Sequence, residues 1–186
     1  MGKVYDAIDE KLSAWLVAQK IFFVATAPLS QHGHVNCSPK DGRSFHILDE
    51  RTVVYLDLTG SGVETIAHIK ENGRIVLMFC AFAGAPNIVR LHGQGEVVES
   101  HHADFATLQA RFGGGPGLRS FIRVHLTRIS TSCGFGVPLY EFRGDRNQLT
   151  AWAEHKGPEK LVMYQCEKNA TSIDGLVGVT SGPSRI

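Results

Sequence analysis

The chain has 186 residues, enough for about one domain that buries roughly 70% of its unfolded surface without help from a metal or disulfide. Hydrophobic residues make up 43% and charged residues 20%, which excludes disorder, a collagen-like repeat and a coiled coil. Nineteen Lys and Arg against eighteen Asp and Glu leave a net charge of +1, too balanced for the broad basic field of a non-specific nucleic-acid binder.

In chain order, Asp6 to Gln19 places Ile8, Leu12, Trp15 and Leu16 at helical spacing with acids early, which predicts an amphipathic first helix. That acidic start is unlike a signal peptide, and Asp6 stands where a myristoylation motif needs a hydroxyl, so the cytoplasm is the expected location. After Lys20 come six strand-like runs: 21–27, 34–38, 52–58, 74–82, 88–99 and 121–130. Gln31-His32-Gly33 reads as a tight hairpin turn, and Asp41-Gly42 and Asp49-Glu50-Arg51 as further turns. Only 64–72 and 103–112 are helix-like crossovers, so the alternation of a doubly wound parallel sheet is missing. The expected fold is mainly β, about six antiparallel strands closed into a small barrel with peripheral helices.

Past Cys133 a Gly/Pro-marked loop leads to two expected helices, Arg146 to His155 and Pro158 to Lys168. The tail from Thr171 is rich in small residues and is expected to drape over the surface or stay disordered. One domain is read over 1–186, with an N-terminal helical segment 1–20, a barrel 21–131, a helical cap 132–170 and an irregular tail 171–186. The longest uncharged apolar stretches, Ile21 to Leu29 and Ile75 to Pro86, are too short to cross a bilayer as helices.

Cys37, Cys80, Cys133 and Cys166 lie far apart with no C-x-x-C pair, so reduced thiols are expected. Cys80 reads as a core hydrophobe, whereas Cys133, between Ser132 and Gly134, is placed to approach a ligand. His32, His34 and Cys37 crowd one hairpin with no distal pair, a poor zinc site, and no metal is expected.

The stretch Tyr55 to Ile69 carries the clearest chemical signal. An apolar strand runs into Thr59-Gly60-Ser61-Gly62 and then a helix beginning near Val63. Such a turn binds phosphate through backbone amides, the Ser61 hydroxyl and the helix dipole, and it also fits a plain capping box. The second candidate is His34 to Lys40, where Pro39 interrupts regular pairing and Lys40 offers charge to an anion; the alternative is a solvated edge strand. His68, one turn after Glu64, reads as packing on the barrel. Arg90, inside an apolar strand, needs either an ion-pair partner or a cavity.

FFVATAPLSQHGHVNCSPK, YLDLTGSGVETIAHIKENGRIVLMFCAF, NIVRLHGQGEVV and TSCGFGVPL, in that order, closely resemble the pyridoxamine 5'-phosphate oxidase-like FMN-binding split-barrel proteins over about Phe22 to Leu139. The resemblance implies a homodimer with FMN at its interface and an oxidoreductase whose flavin carries the redox chemistry. It assigns Ser38, Pro39 and Lys40 to the strand lining the flavin, and Leu56 and Asp57 to the strand flanking its ring. Ser61, Gly62 and Val63 fall in the phosphate turn that Thr59 opens, and Asn87 at a polar strand start; Arg90 and Ser132 are looser assignments. The oxidase that makes pyridoxal phosphate carries a basic pair after the turn serine, where this chain has Gly62 and Val63. Its C-terminal Trp- and Arg-rich signature is also absent, so pyridoxamine phosphate oxidase activity itself is not expected. A flavin or haem carrier, with His92 or Cys133 as axial ligand, and a deazaflavin-dependent reductase are the alternatives. Substrate and electron donor are not legible.

Overall fold

The computed structural model describes residues 2–180; the last residues of the expected tail, 181–186, lie outside the described part. Alternating burial builds the strands. In β2 (Ile21–Thr26), Phe22, Val24 and Thr26 are buried, and in the antiparallel β6 (Arg74–Cys80), Ile75, Leu77 and Phe79 are buried opposite them. The remaining strands are β1 (Val4–Tyr5), β3 (Asn36–Asp41), β4 (Phe45–Asp49), β5 (Thr52–Leu58), β7 (Ile88–Glu99) and β8 (Leu118–Ser132). They form one antiparallel sheet in the order β3-β2-β6-β7-β8-β5-β4, with β1 added on β8.

The two edge strands of that order, β3 and β4, are chain neighbours joined only by a short 3-10 turn, Gly42–Ser44, so the sheet curls into a half-barrel whose edges approach at that turn without a hydrogen-bonded ladder between them. Phe22 stacks on Phe79, its register partner on the adjacent strand, at 5.1 Å, and side chains from strands far apart in the sheet touch inside: Phe45 meets Phe79 at 4.9 Å and Phe22 meets Tyr55 at 5.6 Å. Helix α1 (Glu10–Ala18), capped by Asp9, buries Leu12 and Leu16 in this core. A second cluster, Val54, Val98, Leu108 and Phe121, lies beneath α3 (Phe105–Phe112).

Helix α2 (Glu64–Asn72) crosses between β5 and β6 and packs on β7, where Gly95 leaves the room: a Cβ there would stand 2.9 Å from Ile69. Its His68 is fully buried, with Nδ1 at 2.9 Å from Thr26 Oγ1, as packing on the barrel predicts. The cap consists of α4 (Gln148–Lys156) and α5 (Pro158–Lys168).

Four expectations need correction. Two strands escaped notice: β4, whose pattern is broken by a bulge between Ile47 and Asp49, and the two-residue β1. The strand expected at 34–38 begins at Asn36 and runs to Asp41, with Pro39 tolerated because β3 is an edge strand. The tight turn at 31–33 is part of a longer loop spanning 27–35. That loop is held at its base by α2 and the start of β6, through Glu71 on Leu29 N, Asn72 on Ala27 O and Arg74 on Pro28 O. Of the two alternatives for the tail, the disordered one fails over residues 171–180, which lie against the body as the draped one has it: Thr171 bridges Val177, and Gly178 N and Val179 N bond to Ala170 O and Asn169 O.

Candidate functional site: a cleft at the head of helix α2

Strand β5 ends at Leu58, and the chain turns through 59–63 before α2 begins at Glu64. Beside this turn runs the edge strand β3. Together they line a cleft of about 250 Å³ formed by Asn36, Ser38, Lys40, Asp57, Leu58, Gly60 to Thr65 and Arg119. An adjoining recess of about 450 Å³ shares Asn36, Ser61, Gly62 and Glu64 and extends to His34, Val35, Cys37 and Ile173.

The charged floor is a buried triad. Asp57 is fully buried, accepts from Arg119 Nε at 2.8 Å and stands 3.3 Å from Lys40 Nζ. Burial alone would push its carboxyl upward, but the Arg119 and Lys40 cations outweigh that and hold it below the usual aspartate range. One carboxylate between two cations leaves this triad one positive charge in excess, which Glu64 on the rim balances over the whole cleft. Burial pushes the neighbouring Tyr55 phenol well above its ordinary value, and burial lowers His68, so both stay neutral near pH 7.

The turn supplies donors. Val63 caps α2 without any side-chain hydrogen bond, and Ser61 and Gly62 are exposed, so the capping-box alternative does not hold. Among the described residues, the amide nitrogens of Ser61, Gly62 and Val63 donate to no protein group. A helix N-terminus with three free amides and a nearby cation suits an oxyanion. Opposite the turn, Ser38 Oγ donates to Asn36 Oδ1 at 3.0 Å, and Asn36 Nδ2 donates to Thr65 Oγ1 at 2.9 Å. Glu64 is the one acid on the cleft rim, and its Oε1 lies 3.4 Å from Ile173 N.

The structure therefore gathers Ser38, Lys40, Asp57, Ser61, Gly62 and Val63 in one place. Asp57 enters as the buried anchor of two cations rather than as a group facing a ring. The other expected residues do not line this cleft. Leu56, one residue from Asp57, points to the opposite face of β5 and packs with the cluster beneath α3. Pro39 is exposed on β3, and Thr59 is buried, its hydroxyl donating to Gly117 O at 2.9 Å. Asn87, Arg90 and Ser132 belong to a separate group where β7 begins and β8 ends. There Arg90 Nη1 donates to Ser132 Oγ at 2.9 Å, a hydrogen bond where an ion pair or cavity was expected. The haem candidates His92 and Cys133 also lie outside the cleft. No cluster of three metal-ligating side chains occurs among the described residues, and none of their helices is long and apolar enough to cross a membrane.

Arg119 was missed, although the argument that singled out Arg90, a charge inside an apolar strand, applies equally to Leu118-Arg119-Ser120-Phe121. Arg119 also borders a larger cavity of about 860 Å³ between α3, the start of β8 and α5, lined by Phe105, Gln109, Leu118, Leu161 and Gln165 among others.

Comparison with known proteins agrees with this architecture. Residues 8–133 match the family profile described as "Pyridoxamine 5'-phosphate oxidase". The chain is 37% identical over 194 aligned positions to the pyridoxamine 5'-phosphate oxidase family protein ustO of Aspergillus flavus, covering 95% of this chain and 78% of that protein. A putative pyridoxamine 5'-phosphate oxidase from Lactobacillus delbrueckii aligns with TM-score 0.52 at 17% identity, over 68% of this chain and 98% of that one. A point variant of HupZ from Group A Streptococcus aligns with TM-score 0.52 at 23% identity, over 67% of this chain and 99% of that one. The structural matches show a shared split-barrel fold; the profile match and the fungal relative go further, and by them the chain belongs to the pyridoxamine 5'-phosphate oxidase family.

Proposed function

We propose that the protein binds FMN in this cleft and works as an FMN-dependent oxidoreductase, assembled as a homodimer with the flavin at the subunit interface. The observation that carries the proposal is the set of three unpartnered amides, Ser61 to Val63, at the head of α2 and beside Lys40. A phosphate monoester matches that donor set in charge and in its number of acceptor oxygens. The Ser61 hydroxyl adds a further donor. The outward backbone groups of β3, unpaired at the sheet edge, are available to the polar rim of a flavin, as is Ser38.

When bound, the flavin supplies the electron or hydride transfer. The chain's own part is binding and orientation. Lys40, backed by Asp57, brings positive charge to the phosphate end, and the barrel wall excludes water from one side. No feature of the cleft favours haem.

The test is the visible spectrum of the purified protein, followed by titration with FMN, FAD and riboflavin. Tightest binding of FMN, with flavin bands bleached by NAD(P)H and restored by an acceptor, is the expected result. Flavin bands indifferent to every reductant would reduce the protein to a carrier. A Soret band, or failure to bind any flavin, would overturn the proposal.

A further inference from the structure

The turn carrying the free amides is not held by its own strand or helix. Its carbonyls are held by two side chains from far along the chain. Asn169 Nδ2 donates to Gly60 O at 2.9 Å and to Ser61 O at 3.3 Å, while Arg119 Nη1 donates to Gly62 O at 2.9 Å. In a trans peptide the C=O of one residue and the N–H of the next point in opposite directions, and no peptide here is cis. Anchoring three successive carbonyls therefore fixes the direction of the amide that follows each one: Ser61 and Gly62 through Asn169, and Val63 through Arg119.

Asn169 is itself fixed. It is fully buried at the end of α5, its N–H donates to Gln165 O at 2.8 Å, and its own carbonyl accepts from Val179 N at 2.8 Å. Gly178 packs against Val63 on the same side, where a Cβ would stand 2.8 Å from a Val63 methyl. One turn back on α5, Gln165 Nε2 donates to Thr59 Oγ1 at 2.7 Å. The side-chain oxygen of Asn169 is buried with no hydrogen-bond partner, a desolvation penalty that an apolar residue would avoid. The amide at this position is accounted for by the two bonds that its nitrogen donates.

We infer that Asn169 is a positioning residue for anion binding: from the C-terminal segment it sets the orientation of the Ser61 and Gly62 amides that receive the phosphate, as Arg119 sets that of Val63. This rests on the phosphate-binding reading of the turn. It also gives the segment after the barrel a role in cofactor affinity that a surface cap does not have.

The experiment compares Asn169→Leu, close in size but without donors, with the wild type in titrations of FMN and riboflavin, which differ by the phosphate alone. The ratio of riboflavin Kd to FMN Kd is expected to fall by about tenfold while riboflavin affinity stays the same. An unchanged ratio in a folded variant overturns the inference, as does an equal loss for both ligands, which marks a merely structural role. Asn169→Ser, which keeps one donor, is the second variant should Asn169→Leu fail to fold; it is expected to lie between the two, and an unchanged ratio counts against the inference. If the wild type does not prefer FMN to riboflavin, the phosphate reading itself fails. Backbone ¹⁵N order parameters at Ser61 and Gly62 then decide on Asn169 alone: a fall in the variant supports its hold on the turn, and identical values refute it.

Discussion

Ser61 and Asp57 sit four residues apart and answer to different physics. Ser61 is exposed and caps nothing, so its hydroxyl is free for a ligand. Ser61→Ala is expected to leave the melting temperature unchanged and to weaken FMN by roughly 1.5 to 3 kcal/mol, about ten- to hundredfold, through loss of one charge-assisted hydrogen bond. Ser61→Asp should bind more weakly still, because a carboxylate then faces the phosphate. Flavin titration and thermal melts of both variants check this, and unchanged affinity in both would remove Ser61 from the site.

Asp57 works through burial. Its carboxyl is held below the ordinary aspartate range by Arg119 and Lys40 against the opposing effect of burial. A depressed folded-state value means that the stabilisation is fully present above the unfolded value near 3.9 and is lost as pH falls through the folded value. Asp57→Asn leaves Arg119 inside without its counter-charge and is expected to cost about 3 to 5 kcal/mol at pH 7. It should also flatten the loss of stability below about pH 4. Urea unfolding of both proteins between pH 3 and 7 reads both effects; parallel pH curves would show that the triad does not carry the acid sensitivity.

Among the elements, the C-terminal segment departs most from its expected character. Composition presents 171–180 as small and patternless, yet the segment is laced to the body. Asp174 pairs with His34 at 2.6 Å, Lys70 Nζ donates to Gly178 O at 2.6 Å, and Glu99 accepts from both the amide and the hydroxyl of Thr180. Its closest approach is at Gly178, where an added Cβ would overlap the Asn169 carbonyl oxygen and press on Val63. Gly178→Ala is therefore expected to destabilise the fold by about 1 to 3 kcal/mol through overpacking. FMN affinity should fall with it, since the displaced groups border the turn. Unchanged denaturant midpoint and unchanged affinity would show that the segment is not seated on the turn as described.

For the whole molecule, the barrel closes its own core, but a loop after β8 leaves large apolar side chains outside. Phe135, Leu139, Tyr140 and Phe142 are between 52% and 82% exposed, and Tyr140 lies against Phe82 with ring centroids 5.4 Å apart. These side chains are the surface that the proposed homodimer would cover. Light scattering on the purified protein is expected to give twice the mass of one chain, with two FMN per dimer. A monomer that still binds FMN at full affinity would sink the interface site while sparing the cleft.

Strand-like runs joined by short turn-marked links, with only two helix-like crossovers, made the antiparallel sheet legible from sequence alone, because runs and turns are local properties of the chain; the alternating burial of β2 and β6, both near-continuous apolar runs, appears only in the fold. The Gly-Ser-Gly turn before α2 was legible for the same reason: strand, turn and helix are contiguous, so the free amides follow from chain order. Only the tertiary structure decided what surrounds them. Arg119 meets Asp57 across 62 residues and Asn169 meets Gly60 across 109, and no local pattern records which distant side chain completes a site. Alternation along β5 already puts Leu56 and Asp57 on opposite faces; tertiary packing decided which of those faces lines the cleft. It divided the candidate residues into the cleft and the Asn87, Arg90 and Ser132 group, because the faces of a strand and the two ends of a barrel are distinguished only once the sheet has curled.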